Sequence, residues 1–381
     1  MESPHEQFQL AHGCFQLRRY PRQANDPLRA WDAADELILA HLAEQEITPP
    51  PGQTLLLNDT FGALAVATHA WQPLSQGDSF IAQLSTRANL AANGLDPDSV
   101  GLQDSLTTPD FSPALLLLKI PKTLALLEHQ LLSLRPLLGV HCQIVAGAMV
   151  KGIQRATLEL FERCIGPTHT SLAKKKARLI FAQLDPNLTP GPSPYPSRYR
   201  LEDSPYELLN HANLFSREKL DIGTRLLLQH LPVGAHYRRI LDLGCGNGVV
   251  GLLAAARNPQ ARLLFRDESF MAVASAEANF RAAFGAERDA TFEAGDCASA
   301  IEPDSLDLIL NNPPFHQQNA VGDHIARRMF RQSKQALRRG GELWVIGNRH
   351  LGYHTQLKKL FGNCVLVASN PKFVVLKAVK V

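Results

Sequence analysis

The chain has 381 residues, a formal net charge of +3, 45% hydrophobic and 20% charged residues. This is too apolar for intrinsic disorder and too long for one small core, so at about 100–200 residues per domain it predicts two domains. No apolar run approaches the roughly 18–20 residues of a membrane-spanning helix, and the opening Met-Glu-Ser-Pro-His lacks the basic-then-apolar order of a secretory leader, which predicts a cytoplasmic protein without membrane attachment. Cys14, Cys142, Cys164, Cys245, Cys297 and Cys364 are scattered without close pairs, against a disulfide framework and against a metal site.

In chain order, Thr54-Leu-Leu-Leu-Asn-Asp-Thr-Phe-Gly-Ala-Leu-Ala-Val reads as strand, turn and helix. Asp78-Ser-Phe-Ile-Ala with Ala88-Asn89, and Leu115-Leu-Leu-Leu-Lys-Ile-Pro-Lys, follow at the spacing of further α/β elements. Prolines at 186, 190, 192, 194 and 196 then bar helix and central strand and predict a stiff linker over 185–204, between domains at 1–184 and 205–381.

Beyond it, Arg239-Ile-Leu-Asp-Leu is a buried strand ending in a Gly-rich turn, Gly251 to Arg257 is helical, and Arg262-Leu-Leu-Phe-Arg is the next strand. Phe270 to Phe284 is Ala-rich and helical; Leu306-Asp-Leu-Ile-Leu-Asn and Glu342-Leu-Trp-Val-Ile-Gly are further strands. Cys364-Val-Leu-Val-Ala and Phe373-Val-Val-Leu-Lys around Ser369 to Lys372 predict a closing hairpin. The fold class is α/β, a mostly parallel sheet ending in an antiparallel hairpin. The first half echoes this order at a separation near 190, Asp78-Ser-Phe with Asn89 against Glu268-Ser-Phe with Asn279, which favours a duplicated fold.

The small net charge hides two basic stretches. Arg327 to Val381 holds twelve Lys/Arg against the single acid Glu342, and Lys151 to Arg200 holds nine against three. Either a phosphate-contacting surface or a solvated basic face fits such a surplus.

Asp242-Leu-Gly-Cys-Gly-Asn-Gly lies between a strand and a helix. Glycines at 244, 246 and 248 let backbone amides approach a ligand, and the helix N-terminus favours an anionic group. Asp267 ends the next strand, where a carboxylate can accept from two ribose hydroxyls. Asn312-Pro313-Pro314-Phe315 follows the strand Leu306 to Leu310. Its two prolines make a rigid corner that aims the Asn312 Oδ1 and the Pro313 carbonyl at one point, as the orientation of a planar exocyclic amine requires, and Phe315 is placed to stack on a base.

The alternating glycines with an acid ending the next strand resemble class I S-adenosylmethionine-dependent methyltransferases. The [ND]-P-P-[YF] motif resembles that of their amine-methylating members. Leu214-Phe-Ser-Arg-Glu-Lys-Leu-Asp-Ile-Gly-Thr, Asp267-Glu-Ser-Phe-Met-Ala and Asn312-Pro-Pro-Phe-His-Gln-Gln-Asn are similar to ribosomal RNA guanine-N2 methyltransferases, large-subunit members more than small-subunit ones. The resemblance implies two tandem class I methyltransferase-like domains, the first degenerate. It implies that Asp242, Gly244, Cys245, Gly246, Asn247 and Gly248 hold the methionine moiety of S-adenosylmethionine, which leaves as S-adenosylhomocysteine. Asp267 would hold the ribose and Asp296, after Gly295, the adenine amine, with Phe215 and Thr224 lining the pocket. The surroundings of the ribose site depart from the family pattern at Arg266, where an apolar residue is expected.

His316, Arg327 and Arg328 are candidates for RNA contact in the second half; Lys174, Lys175, Lys176 and Arg178 are candidates in the first. In the first half Asn58 and Thr60 stand for Gly244 and Gly246, and Ile120-Pro-Lys-Thr for the amine motif, so it is expected to bind RNA or position substrate without cofactor. The expected partner is protein-poor large-subunit ribosomal RNA, met by a monomer. Small-subunit RNA, a protein glutamine amide and a non-catalytic RNA-binding module remain as alternatives.

Overall fold

The structure is a computed structural model and describes residues 5–10, 13–22, 26–314 and 320–381. The chain divides into two compact units, Met1–Pro194 and Tyr195–Val381. The first unit opens with the hairpin β1 (Gln7–Leu10) and β2 (Gly13–Gln16), then α1 (Ala33–Glu44), β3 (Thr54–Leu57), α2 (Ala63–Ala67) and β4 (Leu74–Gly77). It continues with α3 (Phe80–Ala92), β5 (Gly101–Asp104), β6 (Leu115–Lys119), α4 (Leu124–Leu134), β7 (Gln143–Met149), α5 (Arg155–Cys164), β8 (Thr168–Thr170) and β9 (Ala177–Ala182). The second opens likewise with a hairpin, β10 (Ser197–Arg200) and β11 (Glu207–Asn210), then α6 (Ile222–Gln229), β12 (Arg239–Leu243), α7 (Val249–Arg257) and β13 (Arg262–Asp267). It closes with α8 (Phe270–Phe284), β14 (Ala290–Ala294), β15 (Leu306–Asn311), α9 (Ala320–Ala336), β16 (Leu337–Asn348), α10 (Tyr353–Phe361), β17 (Val365–Ser369) and β18 (Phe373–Val379).

Both units build a seven-stranded sheet in one topology, β5-β4-β3-β6-β7-β9-β8 and β14-β13-β12-β15-β16-β18-β17. Five strands run parallel and the last two fold back as an antiparallel hairpin. The central strands are buried on both faces and so read as unbroken apolar runs, Leu55–Leu57 and Leu116–Leu118 in one unit, Leu308–Leu310 in the other.

The duplication extends to individual atoms. Asn89 accepts from Arg18 N and donates to the Arg18 and Phe61 carbonyls; Asn279 accepts from Leu209 N and donates to the Leu209 and Asn247 carbonyls. Each buried amide thereby ties its unit's N-terminal segment to the turn after the first sheet strand. A Cβ on Gly62 would lie 2.8 Å from Thr86 Cα, and one on Gly248 2.8 Å from Ala276 Cα, so both close approaches require glycine.

The proline-rich stretch expected as a linker is shared between the units. Arg135 donates to the Asp185 carbonyl at 2.6 Å and the Leu188 carbonyl at 2.5 Å, fastening its start to the first unit. Its end is β10, whose residues 197–200 lie past the last proline of the run and pair with β11. Tyr199 packs there against the second unit's core, which is why this part is strand rather than free linker. Among the described residues no helix is long and apolar enough to cross a membrane.

Candidate active site

Gly244, Gly246 and Gly248 all have left-handed backbones, with φ of 71°, 54° and 78°. Strain-free access to that region is glycine's property. Gly244 N donates to the Arg266 carbonyl at 2.8 Å and Gly246 N to Asp267 Oδ2 at 3.0 Å, which pins the turn to the end of β13. A Cβ at Gly246 would meet nothing within 4 Å, so this part of the turn is an open cradle.

The carboxylates around it differ in employment. Asp242 is 2% exposed and its Oδ2 accepts from Gly251 N at 2.7 Å, fixing the first turn of α7; burial pushes its carboxyl up to about 8. It shapes the turn from beneath rather than lying open to a ligand. Asp267 Oδ1 accepts from Ser269 N at 3.0 Å. Burial pushes the Cys245 thiol well up, so this residue's contribution to the cradle is its backbone. The Asn247 side chain donates to Asn210 Oδ1 at 2.9 Å and accepts from Val249 N at 3.2 Å, bracing the turn against β11.

Arg266, the departure before the ribose acid, is accommodated inside. It is 8% exposed, pairs with Glu293 at 3.3 Å, and occupies the space that a Cβ on Gly295 would need, 2.2 Å from its Nε. A side chain at Gly295 would therefore have to displace the Arg266 guanidinium. Next to it Asp296 is 2% exposed; its Oδ2 accepts from the Arg328 guanidinium on α9, while its Oδ1 is buried without a donor. An acceptor left so costs about 1–3 kcal/mol, and an amino group on a ligand would satisfy it. Arg328, a candidate for RNA contact, is thus paired with Asp296.

Asn312 meets the Gly-rich turn, since its carbonyl oxygen lies 3.7 Å from the place of a Gly244 Cβ. Its Nδ2 donates to Thr224 Oγ1 at 3.0 Å, and its Oδ1 is buried with no donor. Thr224 sits in the first turn of α6, held by its N–H to the N-cap Asp221 Oδ2 at 3.0 Å. Thr224, expected to line the cofactor pocket, makes this contact with the amine motif. Thr224 consumes the amide's donor end and leaves the acceptor end for a ligand. Pro313 is buried and Pro314 exposed. Phe315 and His316 lie outside the described residues. Phe215, expected to line the pocket, is 76% exposed in the segment before α6.

In the first unit the same places carry different residues. Asn58 N donates to the Gln76 carbonyl as Gly244 N does to Arg266, which equates Asn58 with Gly244. The Asn58 side chain donates to the Lys119 carbonyl at 3.0 Å and exchanges hydrogen bonds with the Gln130 amide on α4. Strand register pairs Leu57 with Leu118 and Leu243 with Asn311, so Lys119, not Ile120, stands where Asn312 does. Aligning the halves on prolines 121 and 313 shifts this register by one residue. Lys119 Nζ lies 2.8 Å from Asp35 and 2.7 Å from Asp32, the positions of Thr224 and Asp221, and Gly77 replaces Asp267. The amine site has become a buried ion pair.

The basic candidates of the first unit lie at its closing hairpin. Lys174, Lys175 and Lys176 are exposed, with Lys175 2.7 Å from Glu36 and Lys174 3.9 Å from Glu44. Arg178 is half-buried in β9 with Nε unpartnered, and Arg327 is exposed on α9. Among the described residues no cluster of His, Cys, Asp or Glu could hold a metal ion. Asn210, the Arg328–Asp296 pair and the Thr224–Asn312 bond were not foreseen from sequence; they join residues too far apart in the chain for spacing to reveal.

The sheet order, the glycine cradle and the two orphaned acceptors define a class I S-adenosylmethionine-dependent methyltransferase. Residues 5–186 match the family model of the RLMG N-terminal domain and residues 205–377 that of the methyltransferase small domain. A ribosomal RNA large subunit methyltransferase G of Streptomyces griseus is 50% identical over 98% of this chain and 99% of its own; one of Pseudomonas paraeruginosa is 54% identical over 96% and 97%. The chain belongs to the ribosomal RNA large subunit methyltransferase G family. Its fold is similar to that of a T. thermophilus 16S rRNA N2 methyltransferase solved with AdoMet and guanosine, at 22% identity and a TM-score of 0.75 over 99% of this chain and 98% of that one.

Proposed function

We propose that the second unit transfers a methyl group from S-adenosylmethionine to the exocyclic N2 of a guanine in large-subunit ribosomal RNA. The observation that carries this reading is the buried, unpartnered Oδ1 of Asn312, a residue whose backbone carbonyl lies next to Gly244 of the glycine cradle. Bound S-adenosylmethionine supplies an electrophilic methyl group on its sulfonium. The backbone of Gly244 to Gly248 would hold its methionine end, Asp267 its ribose and Asp296 Oδ1 its adenine amine. Asn312 Oδ1 accepts from the target amine, so the nitrogen is held with its lone pair toward the methyl group. The guanine amine loses its proton only after transfer, so positioning at roughly 3–3.5 Å does most of the work and no strong base is required.

The base must leave its stack to reach Asn312, which favours accessible, protein-poor RNA. The first unit, with Asn58 in the place of Gly244 and Lys119 in that of Asn312, contacts RNA through the Lys174–Lys176 turn; the protein acts as a monomer in the cytoplasm. The test incubates the protein and an Asn312→Ala variant with labelled cofactor and separated ribosomal RNAs, followed by digestion to nucleosides. Label in N2-methylguanosine of large-subunit RNA, lost in the variant, is expected. Label in protein only, in small-subunit RNA or in N6-methyladenosine overturns it.

A further inference from the structure

Asn312 carries one of two amide oxygens that, among the described residues, are left without a donor on the same face of the second sheet. The other belongs to Asn348, the last residue of β16, which is 3% exposed with its Oδ1 buried and unpartnered. β16 lies beside β15 in parallel register, Asn311 opposite Val345, so Asn348 sits on the neighbouring strand just past the amine motif. Side chains alternate along a strand. Trp344 and Ile346 share a core cluster with Leu308 and Leu310, which puts Asn348 and Asn312 on that face together. Phe373, paired with Asn348 across the β16–β18 ladder, fixes the side: its ring approaches within 2.9 Å of the Cβ place of Gly223, the neighbour of Thr224.

The first unit provides an internal comparison. A single 3-10 turn follows Met149 there as one follows Asn348 here, and Met149 ends β7 opposite Ala177 as Asn348 ends β16 opposite Phe373. Where the amine motif has become Lys119, the second acceptor has become a thioether. The two acceptors are present together in one copy and absent together from the other.

We propose that Asn348 is a specificity-determining residue whose side-chain oxygen accepts the N1–H of the target guanine while Asn312 Oδ1 accepts from its N2 amine. This rests on the guanine-N2 reading above. Guanine is the base whose exocyclic amine stands next to a ring N–H. Adenine and cytosine each place an unprotonated ring nitrogen beside their amine, which would face the Asn348 oxygen lone pair to lone pair. A pair of acceptors therefore selects guanine without touching the rest of the ring, and a site built on a hydrogen bond rejects the analogue that lacks it far more strongly than shape alone does.

The test uses large-subunit RNA ligated to carry guanine or 2-aminopurine at the mapped methylated position. 2-Aminopurine keeps the amine and presents an unprotonated N1. The wild-type protein is expected to favour guanine in kcat/KM by about 100-fold or more. Asn348→Leu, of similar volume, should lose guanine turnover and bring the ratio below roughly tenfold, while Asn348→Asp, which keeps an acceptor, retains the preference. Affinity for S-adenosylhomocysteine, unchanged in both variants, reports that the fold is intact. A wild-type ratio near one overturns the proposal whatever the variants do, as does a wild-type ratio kept by a folded Asn348→Leu. No methylation of guanine RNA by the wild type would instead sink the reading beneath it.

Discussion

Thr224 Oγ1 accepts a hydrogen bond from Asn312 Nδ2 at 3.0 Å, and this bond decides which end of the amide faces a ligand. Without it the amide can rotate and offer its NH2 to an amine, donor against donor. Thr224→Val should lower kcat by about 10- to 100-fold, leave S-adenosylhomocysteine affinity within about twofold, and be rescued largely by Thr224→Ser. Unchanged kcat in the valine variant would remove Thr224 from the positioning of Asn312.

Arg328 links α9 to Asp296, and with Arg328 gone both oxygens of a 2%-exposed carboxylate lack a donor. Arg328→Gln should weaken S-adenosylhomocysteine binding by roughly tenfold in calorimetry, in line with the 10–100-fold effects seen when a ligand-holding group loses its own support. The same variant should leave the RNA-binding salt dependence as it was; a shallower salt slope would return Arg328 to the phosphate contacts.

In the first unit, Lys119→Met strands Asp35, whose side chain is 7% exposed, without its cation. The expected cost is about 3–5 kcal/mol, read as a lower denaturation midpoint of that unit, and Asp35→Leu in the same chain should recover most of it. A midpoint unmoved by Lys119→Met would show that the pair adds nothing to the fold.

Buried acids in both units make stability depend on pH, Asp59 and Asp242 among them. Burial raises the Asp59 carboxyl to about 7 and that of Asp242 to about 8, above the ordinary 3.8. The folded chain therefore binds these protons more tightly than the unfolded chain. Their contribution to stability is full below the ordinary carboxylate range and drains away as pH rises toward 7 and 8. Denaturation midpoints should fall between about pH 5 and pH 8, with a shallower fall in Asp59→Asn for the first unit. Midpoints that rise over that window would contradict the assignment.

At the hairpin turn of the first unit, reversing Lys174 and Lys176 to Glu should reduce the slope of log affinity for RNA against log salt by about 0.7–0.9 for each phosphate no longer neutralised. Lys175 adds less, since Glu36 already holds it at 2.7 Å. An unaltered slope would leave the turn a solvated face.

Much of this molecule could be read from its residues. Strand runs such as Leu306 to Asn311 carry an apolar pattern that parallel burial imposes, and helix α8 spans Phe270–Phe284 as its Ala-rich run predicts. The glycine cradle was legible because left-handed backbone has few alternatives to glycine. What sequence could not supply was register. Proline matching placed Ile120 at the amine position, whereas hydrogen bonds across the strands place Lys119 there. Nor could it reveal that Asp242 lies under the turn, that Arg328 is committed to Asp296, or that Arg135 draws Asp185 and Leu188 into the first unit. Each of these is a contact between residues distant in the chain, fixed by packing and invisible to local pattern.

The Lys119 ion pair also separates the two copies thermodynamically. The second unit keeps orphaned acceptors that a ligand completes, so its folding free energy is linked to ligand supply, by about 2.7 kcal/mol at a hundred times the dissociation constant. In the first unit an amine is already present as part of the chain: the Lys119 ammonium completes the pocket covalently. That copy has exchanged a dependence on metabolite concentration for autonomy, and saturating S-adenosylhomocysteine should shift the melting of one unit and leave the other where it was.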